Sequence, residues 1–133
     1  MNGETNLGDL LRTMRPARQP GTYVFCSVAS LEGFDVADTV GLFREAEGIT
    51  VILPQATADR LQLPYSYVAA WLTLTVHSSL AAVGLTAAVA QALANASISC
   101  NVVAAYYHDH IFVAATDADA ALRVLQQVAA TAS

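Results

Sequence analysis

Hydrophobic and polar positions in the second half of the chain predict an ordered series of elements. Residues 71–77 (WLTLTVH) are typical of a strand, and a small-residue loop at 78–84 leads into an apolar helix at about 85–95. Two strands at 98–106 and 110–115 precede a helix that begins near Asp117 and repeats its apolar residues at helical spacing. This βαββα order predicts an α+β, ferredoxin-like unit, an antiparallel sheet with helices on one face.

The first half gives a weaker version of the same series. We expect a helix at 6–14 that Asn6 caps and the Arg15-Pro16 pair ends, and strands at 23–28 and 49–53. The acidic connection between the strands, residues 30–48, is expected to hold a short helix around 40–45, and another helix follows at 54–63. Each half is too small for a core of its own, so we expect them to dock. The expected division is 1–65, a degenerate N-terminal half, and 66–133, the C-terminal half.

The amino-acid composition excludes several classes of function. The 133 residues are 55% hydrophobic and 13% charged, so some apolar surface is expected to be covered by a second copy in a homodimer. A net charge of −5 argues against nucleic acid as a partner. All six basic residues are arginines, three of them (Arg12, Arg15, Arg18) near the N-terminus. The absence of lysine excludes Schiff-base chemistry and a P-loop lysine.

The chain is expected to be cytoplasmic and not to enter a membrane. Its first residues are polar and acidic, unlike a signal peptide. The most apolar window, 80–94, is interrupted by Gly84, Thr86 and Gln91 and is too short for a span. Cys26 and Cys100 lie far apart within predicted strands, which favours reduced, buried thiols over a disulfide.

Several stretches resemble a small family of bacterial proteins built from two ACT-like halves. In the second half these are residues 71–88 (WLTLTVHSSLAAVGLTAA), 98–104 (ISCNVVA) and 106–113 (YYHDHIFV). In the first half they are 10–16 (LLRTMRP), 23–26 (YVFC) and 45–48 (EAEG). The chain departs from the family pattern at Ala105, where glycine is usual, and at Ala114, where proline is usual. The resemblance implies an ACT-type fold and a regulatory module that binds a small molecule such as an amino acid.

The loop before the helix at 85–95 is the main candidate site. Gly84 lets a ligand approach the backbone, and the free amides at a helix start can hold a carboxylate. Asn101, on a neighbouring strand, could fix an amino group. An equally weighted interpretation is that a serine caps the helix and Gly84 only permits close packing. The residues expected to bind the ligand, by the resemblance and this reasoning, are His77, Ser78, Ser79, Val83, Gly84, Leu85 and Asn101.

Other polar and aromatic residues have weaker claims. His108 and His110 lie on one side of a strand with Asp109 opposite, but two ligands leave a zinc site incomplete, so a polar hairpin is favoured and neither metal nor cofactor is expected. The aromatic residues Trp71, Tyr106, Tyr107 and Phe112 are expected to pack a sheet face or an interface. A strand cysteine such as Cys100 is usually inert, and no catalytic signature is present.

Three hypotheses follow. The first is a stand-alone regulatory module that binds an amino acid or similar small carboxylate. The alternative is a non-enzymatic protein–protein interaction module without a metabolite ligand, which the apolar composition favours. The least favoured is an enzyme or metal protein that uses His108, Asp109 and His110.

Overall fold

The computed structural model describes residues 6–76 and 84–132. Along the chain its elements are α1 (Leu7–Thr13), β1 (Arg15–Arg18), β2 (Tyr23–Val28), β3 (Gly41–Arg44), β4 (Ile49–Pro54), α2 (Gln55–Arg60), β5 (Val68–Thr75), α3 (Leu85–Asn95), β6 (Cys100–Ala104), β7 (Asp109–Ala114) and α4 (Ala118–Thr131). The chain divides into two compact units. Unit 1 combines residues 1–19 with 70–133, and unit 2 is residues 20–69.

Unit 1 is the predicted βαββα series with one strand added from the N-terminus. Its strands lie in the order β1-β5-β7-β6, and the β1–β5 and β6–β7 pairs are antiparallel. Helices α1, α3 and α4 pack against one another. The apolar residues of one sheet face join them in a single core, which includes Leu10, Leu74, Val89, Ile111 and Leu125. The α+β fold with an antiparallel sheet and helices on one face is therefore confirmed.

The N-terminal helix is capped as predicted, but the strand after it was not expected. Oδ1 of Asn6 accepts a hydrogen bond from the amide of Asp9 at 3.1 Å. After α1 the backbone becomes extended at Met14. The helix ends there because Pro16, two residues later, cannot continue it. Strand β1 then pairs with β5 from Arg15↔Thr75 to Arg18↔Leu72. Pro16 is tolerated there because β1 ends the strand order of unit 1, where one row of amides needs no partner.

Unit 2 is built around the β2–β4 pair. The two strands pair from Tyr23↔Pro54 to Val28↔Ile49, β3 pairs with β4, and the first residues of β5 pair with β2. Helix α2 packs on β2 and β4. The core of this unit consists of Val24, Cys26, Val51, Leu53 and Ala58.

The prediction of a short helix around residues 40–45 is wrong. Those residues form strand β3, and the only helical turn in the connection is a 3-10 turn at Val36–Asp38 that Asp35 caps. These residues form a strand because a tight hairpin joins them to β4. In that hairpin, Glu45 and Gly48 exchange backbone hydrogen bonds at 3.0 and 3.3 Å. Gly48 adopts φ of +157°, which few other residues accept.

The division of the chain into halves at residue 65 stays a prediction. Unit 2 ends at Ala69, close to that position, whereas residues 1–19 lie with the C-terminal residues in unit 1. Across the described residues, no helix is long and apolar enough to cross a membrane.

Candidate ligand-binding site

Gly84 begins helix α3 in a left-handed conformation, with φ of +98° and ψ of −17°. Its carbonyl accepts the first helical hydrogen bond, from the amide of Ala88 at 2.9 Å. A Cβ at this position would lie 3.2 Å from Cδ2 of Leu7 in α1. The glycine thus serves the backbone geometry and a close contact with α1, and the amides that follow it have no partner within the helix.

Leu85 contributes its backbone rather than its side chain to this region. The side chain is 4% exposed and belongs to the core of unit 1. A ligand at the start of α3 would therefore meet the Leu85 amide, while the leucyl group holds the helix against the sheet. The predicted site residues His77, Ser78, Ser79 and Val83 lie outside the described residues.

Asn101 lies on the other face of the sheet from α3. Its neighbours in β6, Cys100 and Val102, pack against the core that includes Leu85. Side chains alternate along a strand, so that of Asn101 points away from this core, and it is exposed. Within unit 1, Asn101 and Leu85 therefore direct their side chains to opposite faces, and the structure does not bring the two together.

A polar cluster, which sequence reasoning missed, connects β5 and β7 on that opposite face. The indole Nε1 of Trp71 donates to Nδ1 of His110 at 3.0 Å. Oγ1 of Thr73 lies 3.2 Å from the same ring nitrogen and accepts a hydrogen bond from Nε2 of Gln19 at 3.0 Å. We call these four residues the Trp71 cluster. No sequence motif predicts the Trp71 cluster, because the cluster depends on which strand lies beside β5.

The hydrogen bonds in the Trp71 cluster determine the tautomer and the protonation state of His110. An indole N–H can only donate, so Nδ1 of His110 must carry a lone pair and the neutral ring carries its proton on Nε2. Burial lowers the pKa of His110, and the neighbouring His108 lowers it further, against a smaller opposing effect of Asp109. His110 is therefore held as a neutral acceptor.

The neighbouring residues do not assemble a metal centre around it. Nδ1 of His108 is buried without a hydrogen-bond partner among the described residues, and its ring lies 6.3 Å from that of His110. Burial raises the pKa of Asp109. Within residues 6–76 and 84–132, no group of three or more His, Cys, Asp or Glu side chains is placed to hold a metal ion.

The aromatic residues divide into a packed pair and an exposed pair. Trp71 stacks on Phe112 with ring centres 6.0 Å apart, and Phe112 is 1% exposed, as expected for packing on a sheet face. Tyr106 and Tyr107 form an edge-to-face pair at the β6–β7 hairpin and are 79% and 77% exposed. The Tyr106–Tyr107 pair is therefore exposed on the surface of unit 1.

The two cysteines are free thiols, and burial raises the pKa of each. A raised pKa leaves little thiolate at neutral pH, which makes both poor nucleophiles. Cys100 packs on the helix-covered face, whereas His110 of β7 alternates to the opposite one, and His108 lies in the hairpin before β7. The structure does not form a Cys–His pair from them.

Comparison with protein families identifies the two parts of the chain. One ACT domain model matches residues 2–70, more than half of the chain, and a second ACT domain model matches residues 66–127. The chain belongs to the ACT domain family. The two ACT matches meet at residues 66–70, next to the end of unit 2.

Three solved structures from other bacteria share the fold. A Vibrio cholerae protein of unknown function, described as a possible transport protein, is 44% identical and superposes with a TM-score of 0.81 over 92% of this chain and 95% of its own. An Agrobacterium tumefaciens protein is 17% identical, with a TM-score of 0.63 over 87% and 89% of the two chains. The ligand-free regulatory subunit of Thermus thermophilus aspartate kinase is 12% identical, with a TM-score of 0.59 over 85% and 95%. The search of curated proteins returned no match.

Proposed function

We propose that this two-ACT-domain protein is a regulatory module, not an enzyme, that binds an amino acid or a similar small carboxylate. The observation that carries the proposal is the start of α3, where Gly84 is left-handed, supplies no side-chain cap, and precedes first amides that, as in every α-helix, have no partner within the helix. Such amides favour a carboxylate, since they donate hydrogen bonds at the positive end of the helix dipole. The fold shared with the regulatory subunit of aspartate kinase supports the regulatory role.

The proposed ligand contacts are the loop residues His77, Ser78, Ser79 and Val83, the backbone of Gly84 and Leu85, and the side chain of Asn101. Because Asn101 and Leu85 direct their side chains to opposite faces of the same unit, a ligand cannot easily contact both within one unit. A second copy of the chain could supply Asn101 to the loop of its partner. The proposal therefore includes a homodimer.

A thermal-shift measurement with each proteinogenic amino acid in turn tests the ligand. A ligand at a hundredfold excess over its Kd stabilises the native state by about 2.7 kcal/mol. For a chain of this size that corresponds to a rise in Tm of several degrees. One chemical class of amino acid should give this shift, and an equal response to all of them, or to none, would contradict the proposal.

The site is tested by comparing Gly84→Val with Gly33→Val. Both glycines have positive φ, +98° and +70°, so both variants carry backbone strain, but no heavy atom lies within 4 Å of a Cβ at Gly33. Because Gly84→Val also crowds Leu7, the quantity to compare is the ligand-induced shift rather than the Tm of the free protein. We expect the shift to disappear in Gly84→Val and persist in Gly33→Val. A shift retained in both would remove the loop from the site.

A second candidate function, a protein-interaction module without a metabolite, is favoured by one observation. Large hydrophobic side chains are widely exposed: Phe43 at 72%, Tyr106 at 79% and Tyr107 at 77%. Strand β6, which precedes the tyrosines, ends the strand order and carries no charged residue, so its edge is unprotected against pairing with another strand. The thermal-shift measurement distinguishes the two functions, because both allow self-association but only the regulatory module requires a metabolite-dependent shift.

A further inference from the structure

A cavity in unit 1 has a described lining that includes none of Gly84, Leu85 and Asn101. It has a volume of about 280 Å³ and is formed by the end of α1, the start of β1 and the last turns of α4. Its polar wall consists of Arg12, Arg15 and Gln126. Small-molecule pockets usually range from about 300 to 1,000 Å³, so this cavity suits only a small ligand.

The rest of the cavity wall is apolar. Met14 is fully buried and forms part of the core, and Pro16 is half-buried. On α4, Ala129 and Ala130 present only methyl groups. A ligand that fits these walls has a short aliphatic body and a polar group that faces the arginines.

Arg15 is the best placed of the polar residues. Its Nη1 donates to the carbonyls of Arg12 and Met14, each at 2.9 Å, and both residues line the cavity. These two bonds anchor the guanidinium beside the cavity. No described carboxylate pairs with Arg15, whereas Arg12 pairs with Asp9 and Arg18 with Asp119. An anchored guanidinium with free donors matches the planar fork of a carboxylate.

The charges around the cavity favour an anion, though weakly. Asp9 offsets the charge of Arg12. The C-terminal end of α4 adds roughly half a negative charge from its free carbonyls. The full positive charge of Arg15 exceeds that half charge, so the balance of these described groups is positive. Since both arginines are exposed to water, which screens the attraction, the affinity should lie in the millimolar range.

We propose that this cavity binds the carboxylate of a small aliphatic acid, with Arg15 as its main contact. The acid's carboxylate accepts hydrogen bonds from the free guanidinium donors of Arg15, and its hydrocarbon body lies against Met14, Pro16 and Ala129. The Gln126 amide supplies a further donor. This site is independent of the loop at residues 77–85, and neither needs the other.

Titration of the full chain with isovalerate, followed by amide chemical shifts, tests the site. Isovalerate should give saturable shifts centred on Met14, Gln126 and Ala130, with a millimolar Kd. Isovaleramide has the same shape without the charge and should bind at least tenfold more weakly, because hydrogen bonds to charged groups are the stronger ones. Equal binding of the amide, equal shifts with sulfate, or no shift at tens of millimolar isovalerate would each overturn the proposal.

Two variants locate the site and one controls for charge. Arg15→Gln should weaken isovalerate binding at least tenfold, whereas Arg18→Gln makes the same charge change outside the cavity and should bind as the parent does. Ala130→Leu fills the cavity from its exposed side, so it should block binding even if Arg15→Gln folds poorly. Binding that persists in Arg15→Gln or Ala130→Leu, with shifts confined to residues near Gly84, would overturn this site and support the loop instead. If Gly84→Val loses the amino-acid response, it should still bind isovalerate in the cavity.

Discussion

Trp71 and His110 are joined by a hydrogen bond in which the indole N–H donates to Nδ1 of the imidazole at 3.0 Å. The bond connects strand β5 to β7, and Oγ1 of Thr73 approaches the same nitrogen at 3.2 Å. Because Trp71 is the only tryptophan in the chain, its fluorescence reports on its surroundings on this face of the sheet, which include His110 and Phe112. A protonated imidazole would place a second N–H against the indole N–H, so the fold favours neutral His110.

The first prediction concerns the stability of the fold against pH. The pKa of His110 is lowered by burial in the folded state and is about 6.5 when the chain is unfolded. Between these two values the unfolded chain binds more protons, so stability rises with pH. The contribution of His110 is fully present above about pH 6.5 and is lost as the pH falls through that value towards the lowered pKa. Urea unfolding at a series of pH values, followed by Trp71 fluorescence, measures it.

His110→Asn is the matched variant for this measurement. The Oδ1 of asparagine can take the place of Nδ1 and accept from Trp71, but it does not titrate. We expect the variant to keep the indole hydrogen bond and to lose the part of the pH dependence that lies just below pH 6.5. If the pH profile of His110→Asn overlays that of the parent protein, His110 is not the titrating group.

Much of the fold could be predicted from the sequence, and the reasons are local. Asn6 marked the start of α1, and runs of residues typical of strands marked β5 and β7. The Trp71 cluster could not be predicted, because strand order depends on contacts between residues far apart in sequence. Strand β1 was missed because Arg15-Pro16 is typical of an end to structure. The side on which Asn101 lies follows from alternation, but only once the core-facing side of β6 is known.

The second prediction is that Asp109→Asn stabilises the protein at neutral pH. Burial raises the pKa of Asp109, so the ionised carboxylate is less favourable in the fold than in the unfolded chain. The sign is opposite to that of His110: stability is gained as the pH falls through the raised pKa. Asparagine removes the charge, and we expect Tm at pH 7.5 to rise by about 1–3 °C. At a pH well below 3.8, where Asp109 is protonated in both the folded and the unfolded chain, the gain should vanish.

The third prediction concerns the β3–β4 hairpin of unit 2. A Cβ at Gly48 would lie 2.9 Å from Oγ of Ser27 and 3.3 Å from the carbonyl oxygen of Val28, and φ there is +157°. Gly48→Ala should therefore destabilise the protein by about 1–3 kcal/mol. Gly41→Ala is the control, because nothing lies within 4 Å of a Cβ at that position and its φ is not positive. Equal urea midpoints for the two variants would contradict the steric argument.

The fourth prediction is that residues 66–133 do not fold stably without residues 1–19. The core of unit 1 includes Leu10 and Met14, both fully buried, and β1 pairs with β5 along its length. Loss of the first segment would uncover this core and leave β5 without β1 as its neighbour on one side. A large buried side chain is worth about 1.5–3 kcal/mol, so two of them are comparable to the whole stability of a small domain.

The measurement is circular dichroism and amide chemical-shift dispersion of a fragment of residues 66–133, alone and with a peptide of residues 1–19. The fragment alone should show little cooperative unfolding, and the peptide should restore a folded spectrum. A peptide with Leu10→Ala and Met14→Ala keeps the strand β1 but removes the two core side chains, so it should fail to restore the fold. A fragment that unfolds cooperatively by itself would mean that the second ACT domain is complete within residues 66–133, and that β1 adds to its sheet without being needed.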